Sequence, residues 1–190
     1  MTELFPLAPV PAHLHARLAA DAEREGVLDV AYRTVDTPVG TLLLAATPAG
    51  LVRVAYGPAS EALDMLADKV SPRILHAPAR LDPVARQLDE YFAGTRRDFD
   101  VPLDLRLATG FRRAVLDHLP DIAYGRTASY AEMAAVAGSP RAVRAVGTAC
   151  ALNPVPVVVP CHRVVRSDGS MGRYAGGEDA KRTLLELEAA

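Results

Sequence analysis

The stretch AVGTACALNPVPVVVPCHRVV, residues 145 to 165, constrains the fold of this chain more than any other. The small residues at its start suit a helix. Asn153-Pro154 ends that helix, because proline has no amide to donate and restricts the residue before it. The valines that follow read as an apolar, buried strand ending on Pro160-Cys161-His162-Arg163. A thiol is thereby placed at the end of a core segment. A cysteine in such a place is inert filling, a metal ligand or a nucleophile, and its neighbours decide among these.

The two cysteines, Cys150 and Cys161, stand eleven apart with no CxxC or cysteine-histidine zinc spacing around them. A disulfide framework and a metal site are therefore not expected, and both thiols should be reduced. A 50% hydrophobic content over 190 residues suits a packed core in one large domain or two small ones. No apolar run reaches the ~18 residues that a membrane helix needs. The start MTELFPLAP lacks a basic segment followed by an apolar one, so a cytoplasmic location is the expectation. The net charge of −2 is spread unevenly. Met1 to Pro102 hold 10 Lys+Arg against 14 Asp+Glu, net −4, whereas Leu103 to Ala190 hold 11 against 9, net +2. Arg112, Arg113, Arg126, Arg141, Arg144, Arg163, Arg166 and Arg173 make the second half arginine-rich, which suits phosphate contacts but equally a solvated surface.

Residues 1–27 form an extension: a proline-rich lead and then HLHARLAADAEREG, whose spacing and closing Gly26 predict a short helix. An N-terminal α/β unit is expected over 28–99. In it LDVAYRTV, GTLLLAAT and GLVRVAY, separated by turn signals, form an antiparallel meander. SEALDMLADKV and DPVARQLDEYFAG follow as helices, with Ser60 and Asp82 as expected caps and Gly94 as a stop. Residues 100–108, with Pro102 inside them, read as an extended connector. The second unit, 109–190, is mostly helical. SYAEMAAVAG and SPRAVRAVGTACAL, joined through Gly138-Ser139-Pro140, make a helix-turn-helix candidate. On the exposed face of the second helix Val143, Ala145, Gly147 and Ala149 are small and Arg144 is the single long side chain, so this helix can press its backbone on another surface while one arginine projects. An alanine-rich core helix with one solvated arginine has the same composition.

Cys161 supplies the context. Arg144-Ala145-Val146-Gly147, Asn153-Pro154, Pro160-Cys161-His162-Arg163-Val164, the loop around Tyr174 and LLELE near the end stand at the mutual spacings of the O6-alkylguanine-DNA alkyltransferases, and the chain resembles that family over residues 30–190. The resemblance implies a mixed α/β fold, a ribonuclease-H-like N-terminal domain followed by a winged helix-turn-helix domain that carries the active site. It implies DNA repair by direct reversal, in which the alkyl group of O6-alkylguanine, and of O4-alkylthymine, moves irreversibly to Cys161 in a single turnover. No cofactor or metal is expected. Some relatives hold zinc in the N-terminal domain, but that half here has no cysteine.

The residue types fit the chemistry. Displacement at an alkyl carbon needs a soft, strong nucleophile, which a thiolate is and a serine hydroxyl is not. An apolar pocket raises a thiol's pKa, so an adjacent imidazole is needed to take the proton. His162 is the candidate, although successive residues of a strand point to opposite sides. The resemblance implies a bridging water between them, with Glu188 on the far side of the imidazole and Asn153 tying the helix-turn-helix to the active-site strand. An Asx-turn before Pro154 is the plainer reading of Asn153. The reactive carbon lies inside a duplex and is reached only by extruding the nucleotide. Arg144 resembles the arginine that fills the vacated stack, with Val143, Ala145 and Gly147 letting the helix sit in the minor groove. Tyr130 would contact the flipped base, Cys150 and Val164 would wall its pocket, and Tyr174 with the backbone of Ala175 would cover it. The partner implied is double-stranded DNA, bound by a monomer, with cooperativity on DNA left open.

Three positions depart from the family pattern: Leu116 where a tryptophan is usual, Ala123 where a proline is usual, and Arg173 where a small residue or asparagine precedes Tyr174. Two other functions share part of this pattern. Alkyltransferase-like proteins bind and flag the lesion but lack the cysteine. A cysteine hydrolase would leave the Arg144 helix unexplained.

Overall fold

The computed structural model describes residues 11–190. The proline-rich lead falls largely outside them; the short helix expected after it forms as α1, Ala12–Arg24. A meander follows: β1 (Val30–Thr37), β2 (Gly40–Thr47) and β3 (Gly50–Ala55), antiparallel in pairs. Chain reversal at the first turn is aided by Thr37, whose hydroxyl donates to Gly40 O and accepts from Val39 N. After α2 (Ala59–Lys69) the chain adds a strand that the sequence did not announce, β4 (Ile74–His76), parallel to β1. The sheet order is β3-β2-β1-β4. Strand alternation buries both faces of β2. Leu43 and Ala45 pack with Ala62 and Leu66 of α2, while Leu42 and Leu44 pack with Val84, Leu88 and Tyr91 of α3 (Asp82–Phe92).

Ser60 and Asp82 do not cap their helices. Pro58 and Leu81 hold those positions without side-chain bonds, and Ser60 and Asp82 lie within the first turns. Proline's fixed φ suits a helix start, and the acidic side chains Glu61 and Asp82 then favour the positive helix end. The connector is extended up to Leu105, turns at Arg106-Leu107 and is tied to the sheet: Leu51 N donates to Pro102 O, Asp104 N to Leu51 O and the Thr47 hydroxyl to Asp104 Oδ2.

The remainder is helical. α4 (Gly110–His118) leads to a two-residue strand, β5 (Ala128–Ser129), then to α5 (Tyr130–Val136) and α6 (Val143–Ala151). Ser129 and Glu132 form a reciprocal capping box at the start of α5. β5 pairs in parallel with β6 (Val164–Val165), to which Met171 bridges, and α7 (Gly177–Ala189) closes the fold. One core joins the two halves: Leu42, Val54 and Tyr91 share a cluster with Leu116, Met133, Val146 and Leu184. Among the described residues no helix is long and apolar enough to cross a membrane.

The valine segment differs from its expected strand. Residues 153–160 form a chain of turns, and Cys161–Arg163 a 3-10 turn. Val157 adopts φ +73°, a left-handed conformation that costs a β-branched residue about 1–3 kcal/mol. Asn153 holds the loop in this shape: its Oδ1 accepts from Val155 N at 3.0 Å and its Nδ2 donates to Val159 O at 2.8 Å. The Asx-turn is therefore present, and the same side chain also spans the loop to Val159. On the other side Val54 N of β3 donates to Pro154 O at 2.8 Å, so the sheet edge braces the same loop.

Candidate active site

Cys161 and His162 are carried by the 3-10 turn, so the strand rule that would send their side chains to opposite sides does not apply here. Both are buried, with His162 fully enclosed. His162 Nε2 lies 2.9 Å from Glu188 Oε1 of α7. Glu188 is buried and is the hub of a larger network: it accepts from Arg163 Nε at 2.9 Å and Nη2 at 3.0 Å, from Tyr91 OH at 2.7 Å and from Gly125 N at 3.2 Å. Burial opposes its charge, but the bonds from His162 and Arg163 overcome that and bring its pKa down to about 2. The carboxylate is ionised, so His162 Nε2 carries the proton toward it. Burial lowers the His162 pKa and keeps the ring neutral. Its Nδ1, shielded from solvent and without a protein partner among the described residues, is then the basic nitrogen.

Burial pushes the Cys161 thiol up to about 11, against the partial opposition of Asn153 and Lys181. Lys181 of α7 is itself fully enclosed and donates to Val164 O at 2.6 Å. Cys150, in the same core cluster, is pushed further, to about 12, by burial and by Cys161. Cys150 differs from Cys161 in having no imidazole next to it in the chain, and it is a packing group. Mass spectrometry of protein reacted with O6-benzylguanine should therefore find the benzyl group on the Cys161 peptide alone; benzyl on the Cys150 peptide would show that this second thiol is activated.

The structure brings Cys161, His162, Asn153, Glu188, Cys150, Val164 and Tyr174 into one buried region. Tyr130 and Arg144 line a groove of about 690 Å3 with Gly147, Thr148, Leu152 and Arg173, and Tyr130 also packs against the core cluster that holds Cys150 and Cys161. Arg144, Val143 and Ala145 are exposed on α6, but Ala149 is buried, so the small exposed face is shorter than its spacing suggested. The loop carrying Gly172 passes so close to the Tyr130 ring that any side chain there would collide with its hydroxyl. Ala175 is exposed but lines a neighbouring cleft of about 590 Å3, beside Tyr56, Asn153 and Pro156. Leu116 is core and Ala123 accepts a turn bond from Arg126 N, so both departures fall where packing or turn geometry absorbs them.

Arg163, Tyr91, Lys181 and Tyr56 also belong to the site, although no local pattern in the sequence marks them for it. The sequence groups Arg163 with the arginines that suit phosphate contacts, yet it is buried, with Nη1 donating to Ile122 O at 2.6 Å and the rest of its fork on Glu188. No DNA phosphate can reach it there.

A helix-turn-helix standing before a shielded thiol, with a histidine-carboxylate pair behind it, defines a DNA-binding protein with a protected nucleophile. Comparison with known proteins agrees. Residues 110–190 match the DNA-binding domain of 6-O-methylguanine DNA methyltransferase, and residues 30–105 match its ribonuclease-like domain. The chain belongs to this family. It is 42% identical over 160 residues to the methylated-DNA–protein-cysteine methyltransferase of Mycobacterium tuberculosis, covering 83% of this chain and 91% of that one. It is 37% identical to the constitutive methylated-DNA–protein-cysteine methyltransferase of Bacillus subtilis, covering 83% and 94%. The crystal structure of Mycobacterium tuberculosis OGT in complex with DNA superposes with a TM-score of 0.73 at 40% identity, over 84% of this chain and 92% of that one.

Proposed function

We propose that the protein repairs duplex DNA by moving the alkyl group of O6-alkylguanine to Cys161, once per molecule. The observation that carries this reading is the buried pair beside Cys161 in the chain: an ionised Glu188 orients a neutral His162 whose unpartnered nitrogen is basic. In the reaction the thiol proton passes to His162 Nδ1 through a bridging water. The sulfur then attacks the alkyl carbon, forming the C–S bond as the C–O6 bond breaks, and the guanine anion released takes on its ring nitrogen the proton that His162 gives back through water. His162 becomes a cation only in this step, and Glu188 stabilises it. A thioether is a poor leaving group, so the protein ends its life alkylated. The presence of Cys161 in this relay speaks against a protein that only flags lesions. O4-alkylthymine presents the same ether to the thiol and belongs to the same reading.

Within this proposal the units 28–99 and 109–190, joined by 100–108, act together on DNA, with residues 1–27 as an appendage. α6 lies in the minor groove with Val143, Ala145 and Gly147 against the backbone, and Arg144 takes the place of the extruded nucleotide. Tyr130 contacts the base, Cys150 and Val164 wall it, and Tyr174 with Ala175 covers it. Minor-groove docking suits a repair protein, because that groove offers a degenerate pattern and sequence is read poorly there. A monomer in the cytoplasm, where thiols stay reduced, completes the proposal.

Incubation with duplex carrying radiolabelled O6-methylguanine tests it: label should appear on protein, one per chain, and turnover beyond one would refute the single-use mechanism. Arg144→Ala should slow repair of duplex by about tenfold or more, since unstacking costs a few kcal/mol. Reaction with free O6-benzylguanine, which needs no extrusion, should change less than twofold. Equal losses on both substrates would remove Arg144 from this role.

A further inference from the structure

The N-terminal domain reaches the active site at Tyr56, the residue after β3. Its hydroxyl lies 3.2 Å from that of Tyr174, and the two rings meet edge to face at 5.8 Å and 73°. Tyr174 in turn stands edge-on to His162, with centroids 6.2 Å apart. Neither hydroxyl has another protein partner among the described residues. The contact extends along the chain after Tyr174, because a Cβ on Gly176 would lie 2.5 Å from Cε1 of Tyr56, so the loop presses bare backbone onto that ring. Gly176 then leads directly into α7, which carries Lys181 and Glu188. Tyr56 is half-buried and lies in the wall of the cleft that also holds Ala175.

We propose that Tyr56 is a positioning residue for the reaction: it latches the 174–176 segment to the N-terminal sheet, so that the cover over the base is held shut from the other domain. This rests on the alkyltransferase reading above, in which that segment covers the lesion. A latch of this kind acts on how firmly the base is held and not on the proton relay, since Tyr56 bonds to Tyr174 and to none of His162, Glu188 or Cys161. Tyr56 also has no local signature, because its partner lies 118 residues away.

The experiment follows inactivation of the full chain by free O6-benzylguanine as a function of its concentration and of pH. Tyr56→Phe keeps the ring that packs on Gly176 and removes only the hydroxyl. It should raise the half-saturating concentration by about three- to tenfold, the size expected for one lost hydrogen bond. The rate at saturation should stay within about twofold and the pH profile should not move. In a Tyr174→Phe background the same change should have no further effect, because the partner is already gone. An unchanged half-saturation, a fall in the saturating rate alone, or an equal effect in both backgrounds would overturn the latch. A wild-type protein that takes no label from duplex O6-methylguanine would overturn the alkyltransferase reading, and the latch with it.

Discussion

Cys161→Ser will accept no alkyl group from duplex or free base, and it will bind duplex DNA with the affinity of the unaltered protein. The first half follows from the site. A buried hydroxyl beside neutral His162 is not deprotonated at any ordinary pH, and an alkoxide is a hard nucleophile poorly matched to an alkyl carbon. The second half follows from the distance in structure between chemistry and binding: Arg144, Val143 and Ala145 are exposed on α6, whereas Cys161 is enclosed behind them. Sulfur to oxygen is nearly isosteric, so the core need not rearrange. Labelled duplex and fluorescence anisotropy measure the two halves separately. Residual transfer to another residue, or a loss of affinity for duplex, would break the assignment.

Glu188→Gln will lower both stability and rate. The carboxylate faces Arg163, which is buried and spends two of its donors on it. Removing one partner of a buried ion pair leaves an uncompensated charge and costs about 3–5 kcal/mol, a fall in Tm on the order of 10 °C in a chain of this length. Transfer by the folded variant should slow by about 100-fold or more, because the cation formed on His162 loses its counter-charge. Calorimetry and single-turnover kinetics below the variant's Tm separate these effects. The pH dependence has a definite sign. Glu188 has a folded pKa near 2, against an ordinary value of 4.5. Its contribution to stability is therefore complete above about pH 4.5 and is lost as pH falls toward 2. The Tm of the unaltered protein should drop through that window by more than the Tm of Glu188→Gln. Parallel curves would show that Glu188 is not held as an anion.

The local grammar of the chain was legible. Turn signals between apolar runs marked the meander, Gly138-Ser139-Pro140 marked the break between α5 and α6, and the Cys161-His162 pair with Asn153-Pro154 marked where the chemistry would lie. Ser129-x-x-Glu132 is a capping box that was there to be read as well. These features rest on interactions within a few residues, so composition and spacing carry them.

What the tertiary structure alone decided is of another kind. A run of valines specifies burial but not conformation, and only the clamp of Asn153 on Val155 and Val159, braced by Val54, turned the expected strand into turns with Val157 left-handed. That change brought Cys161 and His162 onto one 3-10 turn. Arg163 resembled its exposed neighbours until folding set it against Glu188, which by itself would pass for a surface carboxylate near the end of a helix. Tyr91 and Tyr56 meet their partners across 97 and 118 residues of chain. Hydrogen bonds over such separations leave no periodic trace, because they depend on how two domains dock and not on what either segment prefers alone.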